Sequence, residues 1–416
     1  MGRWRRVDWV RLGLALLIGV AIRIALLPTD GFRDDLDQFV GWVRHIATSG
    51  LGSLYGETAA GPVAFGPVMG YVWALLAVVE PGFQTATDAS DPGIRVLMKL
   101  PVVAADIGLA LVVAYVLRER PRWALTGAAT VLLHPAVIDI SAWWGQYEPI
   151  YVLPALAAAV LAINGRNGWA AVAIAVALMT KPQALPLVLP FAAWFWATGG
   201  WRAIARAAIV GAVTIVVLWL PFITAGGPMN YLRNLAFYQS DVFGILSLRA
   251  WNAWWLLQEA VAGGRFIADD AAILGPLTLR HVGYAIAGLI ELGVAIAIVR
   301  DPRPRMLLLG LAASVLVAFA FLTQMHERYA YGALVFLALL VAEPRARWLG
   351  LAFGVVFMLN LLSAVPPTPE IRALLPVSGV LGIVGSIAML AITFGSLRLL
   401  AEGRPDRRGS PAPRAP

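Results

Sequence analysis

Long apolar runs, each closed by a short polar turn, repeat along the whole chain. The runs 12–27, 97–117, 208–223, 282–299 and 377–397 carry few charges. Each is about 16–21 residues long, enough for a helix to cross a ~30 Å hydrocarbon core. Arginines punctuate the turns: Arg3, Arg5 and Arg6 before the first run, then Arg118, Arg120 and Arg122, Arg202 and Arg206, Arg300, Arg303 and Arg305, and Arg345 and Arg347. Arg404, Arg407, Arg408 and Arg414 follow the last run. Short arginine-rich loops mark the cytoplasmic side, so the turns at 30–62, 143–149, 225–279, 325–329 and 366–372 fall outside. A start and an end on the same side require an even number of crossings. Of about thirteen candidate segments, 63–79, which opens with Gly61-Pro62 and Gly66-Pro67, reads as a re-entrant or interfacial helix. The run broken at Lys181-Pro182 is the second short one. The pattern predicts an all-α polytopic membrane protein of about twelve transmembrane helices.

Composition sharpens this picture. Mean hydropathy is +0.77 and 13% of residues are charged, against roughly a quarter in soluble domains. One membrane domain is expected over 1–403, with an outer loop at 30–80, and 404–416 reads as a disordered, basic, cytoplasmic tail. The net charge of +8 is then a topology signal, and no nucleic-acid partner is expected. The first run carries Arg11 and Arg23 with no small-residue cleavage site behind it, so it reads as a retained anchor. The chain has no cysteine, which excludes disulfides, thiol nucleophiles and Cys metal sites. No internal repeat is visible, against an inverted-repeat transporter.

The chemistry gathers at the outer turns. Asp34, Asp35 and Asp37 stand in four positions of a chain with 24 acidic residues in all. Such carboxylates can take a proton from a hydroxyl or hold a metal; a solvated acidic loop is the plainer alternative. An interfacial aromatic belt accounts for Trp143 and Trp144 but not for Gln146 and Glu148. Lys181, between two apolar arms, is either a snorkelling lysine or a phosphate ligand. Gln324 to Tyr329 packs His326, Glu327 and Arg328 into one tight turn, where the arginine fork suits phosphate oxygens. His45, His134, His281 and His326 fall at no usual metal-ligand spacing.

Four of these motifs occur in one order. Asp35 is followed seven residues later by Trp42; His134-Pro135 leads to Trp144-Gly145-Gln146-Tyr147-Glu148; then come Lys181-Pro182-Gln183 and His326-Glu327-Arg328. In this the chain resembles GT-C-fold glycosyltransferases over roughly 10–345. It is most similar to the branch holding the dolichyl-phosphate-glucose-dependent glucosyltransferases and their bacterial polyprenyl-phosphate-sugar relatives. It departs from them at Glu148, where relatives often carry Asp or Asn.

The resemblance implies inverting transfer of a hexose from a polyprenyl-phosphate-sugar donor to a hydroxyl of a glycolipid, polysaccharide or protein acceptor, at the outer face of the bilayer. It implies Asp35 as general base with Asp37 assisting, His326, Arg328 and Lys181 on the donor phosphate, and Trp42, Gln146, Glu148 and Glu327 as substrate-binding residues. No metal or other cofactor is expected, although Asp35 and Asp37 could hold a divalent ion. The residues alone would also suit a transporter or flippase for an anionic lipid or a proton-coupled solute, or a non-catalytic lipid-binding subunit. A transporter should carry its ionisable groups near the bilayer midplane, a transferase at one face.

Overall fold

A computed structural model describes residues 4–403; the tail 404–416 and Arg3 lie outside the described residues. Helices α1 (Arg6–Leu26) and α4 (Pro92–Val116) flank a segment holding α2 (Arg33–Ser49) and α3 (Pro67–Val79). Then follow α5 (Pro121–Leu133), α6 (Pro135–Ile138), α7 (Glu148–Ile163), α8 (Asn167–Leu178) and α9 (Val188–Trp219). After α10 (Gly227–Phe237) and α11 (Ala253–Ala262) come α12 (Leu279–Arg300), α13 (Pro304–Phe321), α14 (Tyr331–Ala338), α15 (Pro344–Ala364), α16 (Pro369–Leu374) and α17 (Val380–Ala401). Proline opens α3, α4, α5, α6, α13, α15 and α16, where its fixed φ suits a helix start and its missing N–H costs nothing.

Among the described residues, seven helices are long and apolar enough to cross a membrane, or eight if the bent pair 121–133 and 135–144 counts as one span. This is fewer than the twelve expected, because α7 and α8 are shorter apolar helices and α14 has only 8 residues; α3, short as well, is not counted among the twelve. The 44-residue stretch 182–225 also divides in two, since Gly200 leaves the helix with φ 61°. Arg202 and Arg206 follow that break. Helix α13 is almost wholly buried and forms the centre of the core. By contrast Ile209, Val213, Val216, Leu289, Leu292, Val384 and Ile387 are exposed, as side chains that face hydrocarbon must be.

The buried charge on α1 is paired. Arg23 donates to Asp106 at 3.1 Å and to the Leu132 carbonyl at 2.7 Å, and Tyr331 donates to Asp106 at 2.8 Å. This tie joins α1, α4, α5 and α14, in keeping with the cost of an unpaired charge at membrane depth.

The segment 30–80 is largely helical, and the acidic cluster opens α2, where carboxylates favour the positive end of the helix dipole. Both ends of α3 are tied to that same end of the bundle. At its start Gly66 and Val68 donate to the carbonyls of Thr180 and Met179 at 3.1 and 3.0 Å. Beyond its end, Ala89 donates to Asp37 at 2.8 Å. A Cβ on Gly66 would stand 2.1 Å from the Met179 carbonyl oxygen, so only glycine allows this seam.

Candidate active site

Four stretches converge at the end of the bundle that holds α2. The first is the opening turn of α2. The second is the π-helical turn Asp139–Trp144, which follows α6 and ends at left-handed Gly145 (φ 86°). A Cβ there would press on Leu36 and Lys99, each at 2.9 Å. The third is Lys181, extended between α8 and a 3-10 turn at Pro182–Leu187. The fourth is 322–329, whose strand β2 (Met325–His326) pairs in parallel with β1 (Ser247–Leu248).

Asp35 is half-buried and held on one oxygen only. Trp144 Nε1 donates to its Oδ2 at 2.8 Å, and Gln146 Nε2 donates to the same atom. Oδ1 makes no hydrogen bond among the described residues. The Arg328 guanidinium lies 5.0 Å from the centre of the Trp144 ring, so Trp144 links the carboxylate to the cation. Lys181 Nζ donates to Glu148 Oε1 at 2.5 Å and stands 3.5 Å from Gln146 Oε1. Arg328 meets the same Glu148 oxygen at 3.4 Å and donates to Glu327 at 3.0 Å. Two cations and two buried carboxylates thus form one network, which offsets much of the cost of burying each.

Burial disfavours the Arg328 charge, yet Glu327 and Asp35 outweigh it and hold the guanidinium protonated. Burial likewise pushes the Lys181 ammonium down, opposed by Glu148. Burial, with Arg328 and Lys181 adding to it, holds His326 well below the usual imidazole range, so the ring is neutral. Arg328 Nη1 lies 3.2 Å from His326 Nδ1. A guanidinium can only donate, so Nδ1 accepts and the proton sits on Nε2.

These groups border a cavity of about 350 Å³ lined by Asp35, Gln38, Trp42, Phe65, Gln146, Lys181, Gln183, Tyr238, Gln324 and Arg328. Of the residues expected from sequence, Asp35, Trp42, Gln146, Lys181 and Arg328 therefore face one chamber. Glu148, Glu327 and His326 stand behind the two cations and do not line it. Asp37 points elsewhere: its Oδ1 takes Arg33 at 3.0 Å and the Ala89 amide at 2.8 Å. Two positions apart on a helix, the two side chains diverge by roughly 200°. Among the described residues no three His, Asp or Glu side chains gather in a way that could hold a metal.

Sequence reasoning missed Gln38 and Tyr238, hydrogen-bonded to each other at 3.2 Å across the chamber. Gln38 lies one helical turn after Asp35, a spacing that could have revealed it. It also missed Asp269, buried in the 225–279 stretch, which accepts from Thr323, Gln324 and Arg280 and so fixes the motif turn. No local pattern announces that contact.

A second cavity of about 360 Å³ shares Pro182, Gln183, Tyr284, Leu322, Met325 and Tyr329 with the first. Its remaining walls are mostly apolar, from Leu185 and Pro186 to Ala287, Val315 and Phe319. Five polar atoms around the two chambers, Glu148 Oε2, Gln183 Oε1, Glu291 Oε1, His326 Nε2 and Arg328 Nε, are buried without a hydrogen-bond partner among the described residues. Finished cores rarely leave such groups unpaired.

Residues 68–387 match the model of the ALG6, ALG8 glycosyltransferase family. That stretch includes Gln146, Lys181 and 326–328 and begins after Asp35 and Trp42. No curated protein matches the chain.

Proposed function

The chain belongs to the ALG6, ALG8 glycosyltransferase family, and from that premise we propose that it transfers a hexose, with inversion, from a polyprenyl-phosphate donor to a hydroxyl acceptor on the outer face of the membrane. As a member it is a multi-pass membrane glycosyltransferase acting with a lipid-linked sugar. The observation that carries the finer reading is the pairing of an oriented carboxylate, Asp35, with two cations, Arg328 and Lys181, in one polar chamber that opens into an apolar one.

The polar chamber takes the sugar and its phosphate; the apolar chamber takes the first isoprene units. Asp35 Oδ2 is fixed by Trp144 and Gln146, and Oδ1 remains to accept the acceptor's hydroxyl proton. The acceptor oxygen then bonds to the anomeric carbon as the bond from that carbon to the phosphate oxygen breaks. Polyprenyl phosphate leaves with the bonding electron pair, and Arg328 and Lys181 meet its charge. The leaving group is already a stable anion, so no strong general acid is required. A base so placed is worth ~10²–10⁴-fold in rate. His326, Glu327 and Glu148 act through the cations as positioning residues, and Trp42 and Gln146 shape the sugar pocket.

Alternation fits the outer-face reading. The helix ends at Arg118–Arg122, Arg202–Arg206, Arg300–Arg305 and Arg345–Arg347 all lie one helix length from the chamber. If α3 does not cross, α7 and α8 cross as short spans and 182–225 crosses twice, the traverses come to about twelve. The ionisable groups of the chamber sit at helix ends rather than mid-span, unlike those expected of a transporter. Since Asp37 is engaged with Arg33 and Ala89, it does not double Asp35, and transfer is expected to need no divalent metal.

The purified protein, incubated with a panel of polyprenyl-phosphate hexoses and candidate acceptors, should release polyprenyl phosphate only when an acceptor is present. The rate should be the same with chelator. No acceptor-dependent release from any donor defeats the proposal, and activity restored only by Mg²⁺ or Mn²⁺ defeats its metal-free part.

A further inference from the structure

Helix α7 begins at Glu148, behind the two cations of the active chamber, and its 16 residues carry the chain about 24 Å away. Where it ends, a second pocket opens between the α7–α8 turn and the part of α9 that follows Gly200. This cavity, of about 470 Å³, is edged by Arg166, Arg206, Asn167 and Trp169 and floored by Val172 and Val210. No acidic residue lines it. Among the described residues, neither Arg166 nor Arg206 makes an ion pair or a side-chain hydrogen bond. Elsewhere at this end of the bundle some arginines find carboxylates, as Arg303 does with Asp301, Arg305 with Glu343 and Arg345 with Glu402, while Arg202, among the described residues, lies only against the Trp201 ring. What sets Arg166 and Arg206 apart is that both line one hollow.

Three further observations define the ligand. Asn167 Oδ1 is buried without a donor among the described residues, so it has a hydrogen bond to accept. Trp169 and Trp201 are exposed on α8 and α9, the two helices that border the pocket, as indoles at a bilayer interface are. Ile209 and Val213, one and two turns further along α9, are exposed apolar side chains on which acyl chains can lie. Basic pockets between membrane helices on the cytoplasmic side suit anionic lipid headgroups, and paired arginines suit phosphate oxygens.

We propose that this pocket binds the headgroup of a hydroxyl-bearing anionic phospholipid: Arg166 and Arg206 grip the phosphodiester and Asn167 accepts from a headgroup hydroxyl. The site is separate from the transfer chamber and does not depend on which sugar is moved. It anchors the α7–α8 hairpin, which at its other end presents Glu148 and Lys181.

The full-length protein, released from phosphatidylcholine nanodiscs containing phosphatidylglycerol or phosphatidic acid, can be read by native mass spectrometry. Wild type should retain one phosphatidylglycerol at least tenfold more often than phosphatidylcholine, and phosphatidic acid, which lacks the headgroup hydroxyl, less often. Arg166→Gln with Arg206→Gln should lose the preference, while Arg202→Gln, a neighbouring arginine outside the cavity, should keep it. All three positions are exposed, and an unchanged elution profile confirms that the variants fold. Retention by the double variant equal to wild type overturns the site. Equal retention of phosphatidic acid overturns the role of Asn167. Displacement of the lipid by millimolar inorganic phosphate makes it a site for soluble phosphate instead.

Discussion

Asp35 and Asp37 differ by two positions and by their whole surroundings. One carboxylate faces the chamber under two N–H donors; the other is tied to Arg33 and to the backbone beyond α3. Asp37→Asn is therefore expected to keep transfer within tenfold of wild type while costing about 1 kcal/mol in stability, as for a partly exposed ion pair. Parallel measurement of rate and melting temperature checks this, and a rate loss comparable to that of an Asp35 variant would return Asp37 to the chemistry. Arg328 is the opposite case. Arg328→Ala removes a phosphate ligand and also leaves Glu327 facing Glu148 without its cation. Donor affinity should fall by more than tenfold, in line with the 2–5 kcal/mol or so that truncating a buried charge pair costs. Arg328→Lys should restore only part of it, since an ammonium cannot reproduce the fork. Titration with a non-hydrolysable donor analogue reads both.

At the scale of elements, the site is a junction of irregular pieces: a π-helical turn, an extended lysine between helices, and a two-residue parallel strand pair. The apolar runs that become α4, α12 and α17 were legible because burial in lipid demands long, uncharged helices. The motif residues were legible as polar groups where such helices should end. What was not legible is how these ends pack. Nothing local says that Asp37 turns toward Ala89, that His326 sits behind Arg328, or that Asp269 reaches the motif turn from more than fifty residues earlier. Those placements follow from contacts between distant segments. The α3 seam offers a test at this scale. Gly66→Val would drive a side chain into the Met179 carbonyl, prising α3 from the turn that carries Lys181. Transfer should drop at least tenfold with Asp35 and Arg328 untouched, as an ångström of misplacement can cost 10²-fold. Undiminished transfer would mean that the seam does not position Lys181.

For the whole molecule, arginine-rich turns and chamber occupy opposite ends of the same helices. The absence of cysteine makes this directly measurable, because each introduced thiol is then the only one. Glu57→Cys and Thr85→Cys, on either side of α3, should both react with an impermeant thiol reagent from outside, and Arg120→Cys should react only after the membrane is opened. Labelling of Thr85→Cys from the inside alone would mean that α3 crosses, and the parity of every later span would then change.

The central claim is that Asp35 is the base of a transfer whose donor is held by other residues. The measurement that tests it most directly is a side-by-side comparison of donor binding and acceptor-dependent transfer in wild type and Asp35→Asn. Asn keeps the shape of the carboxylate but cannot take a proton, so transfer should fall by ~10²–10⁴-fold while donor affinity stays within about threefold, less than 1 kcal/mol. Transfer within tenfold of wild type, or donor binding lost together with transfer, would contradict it.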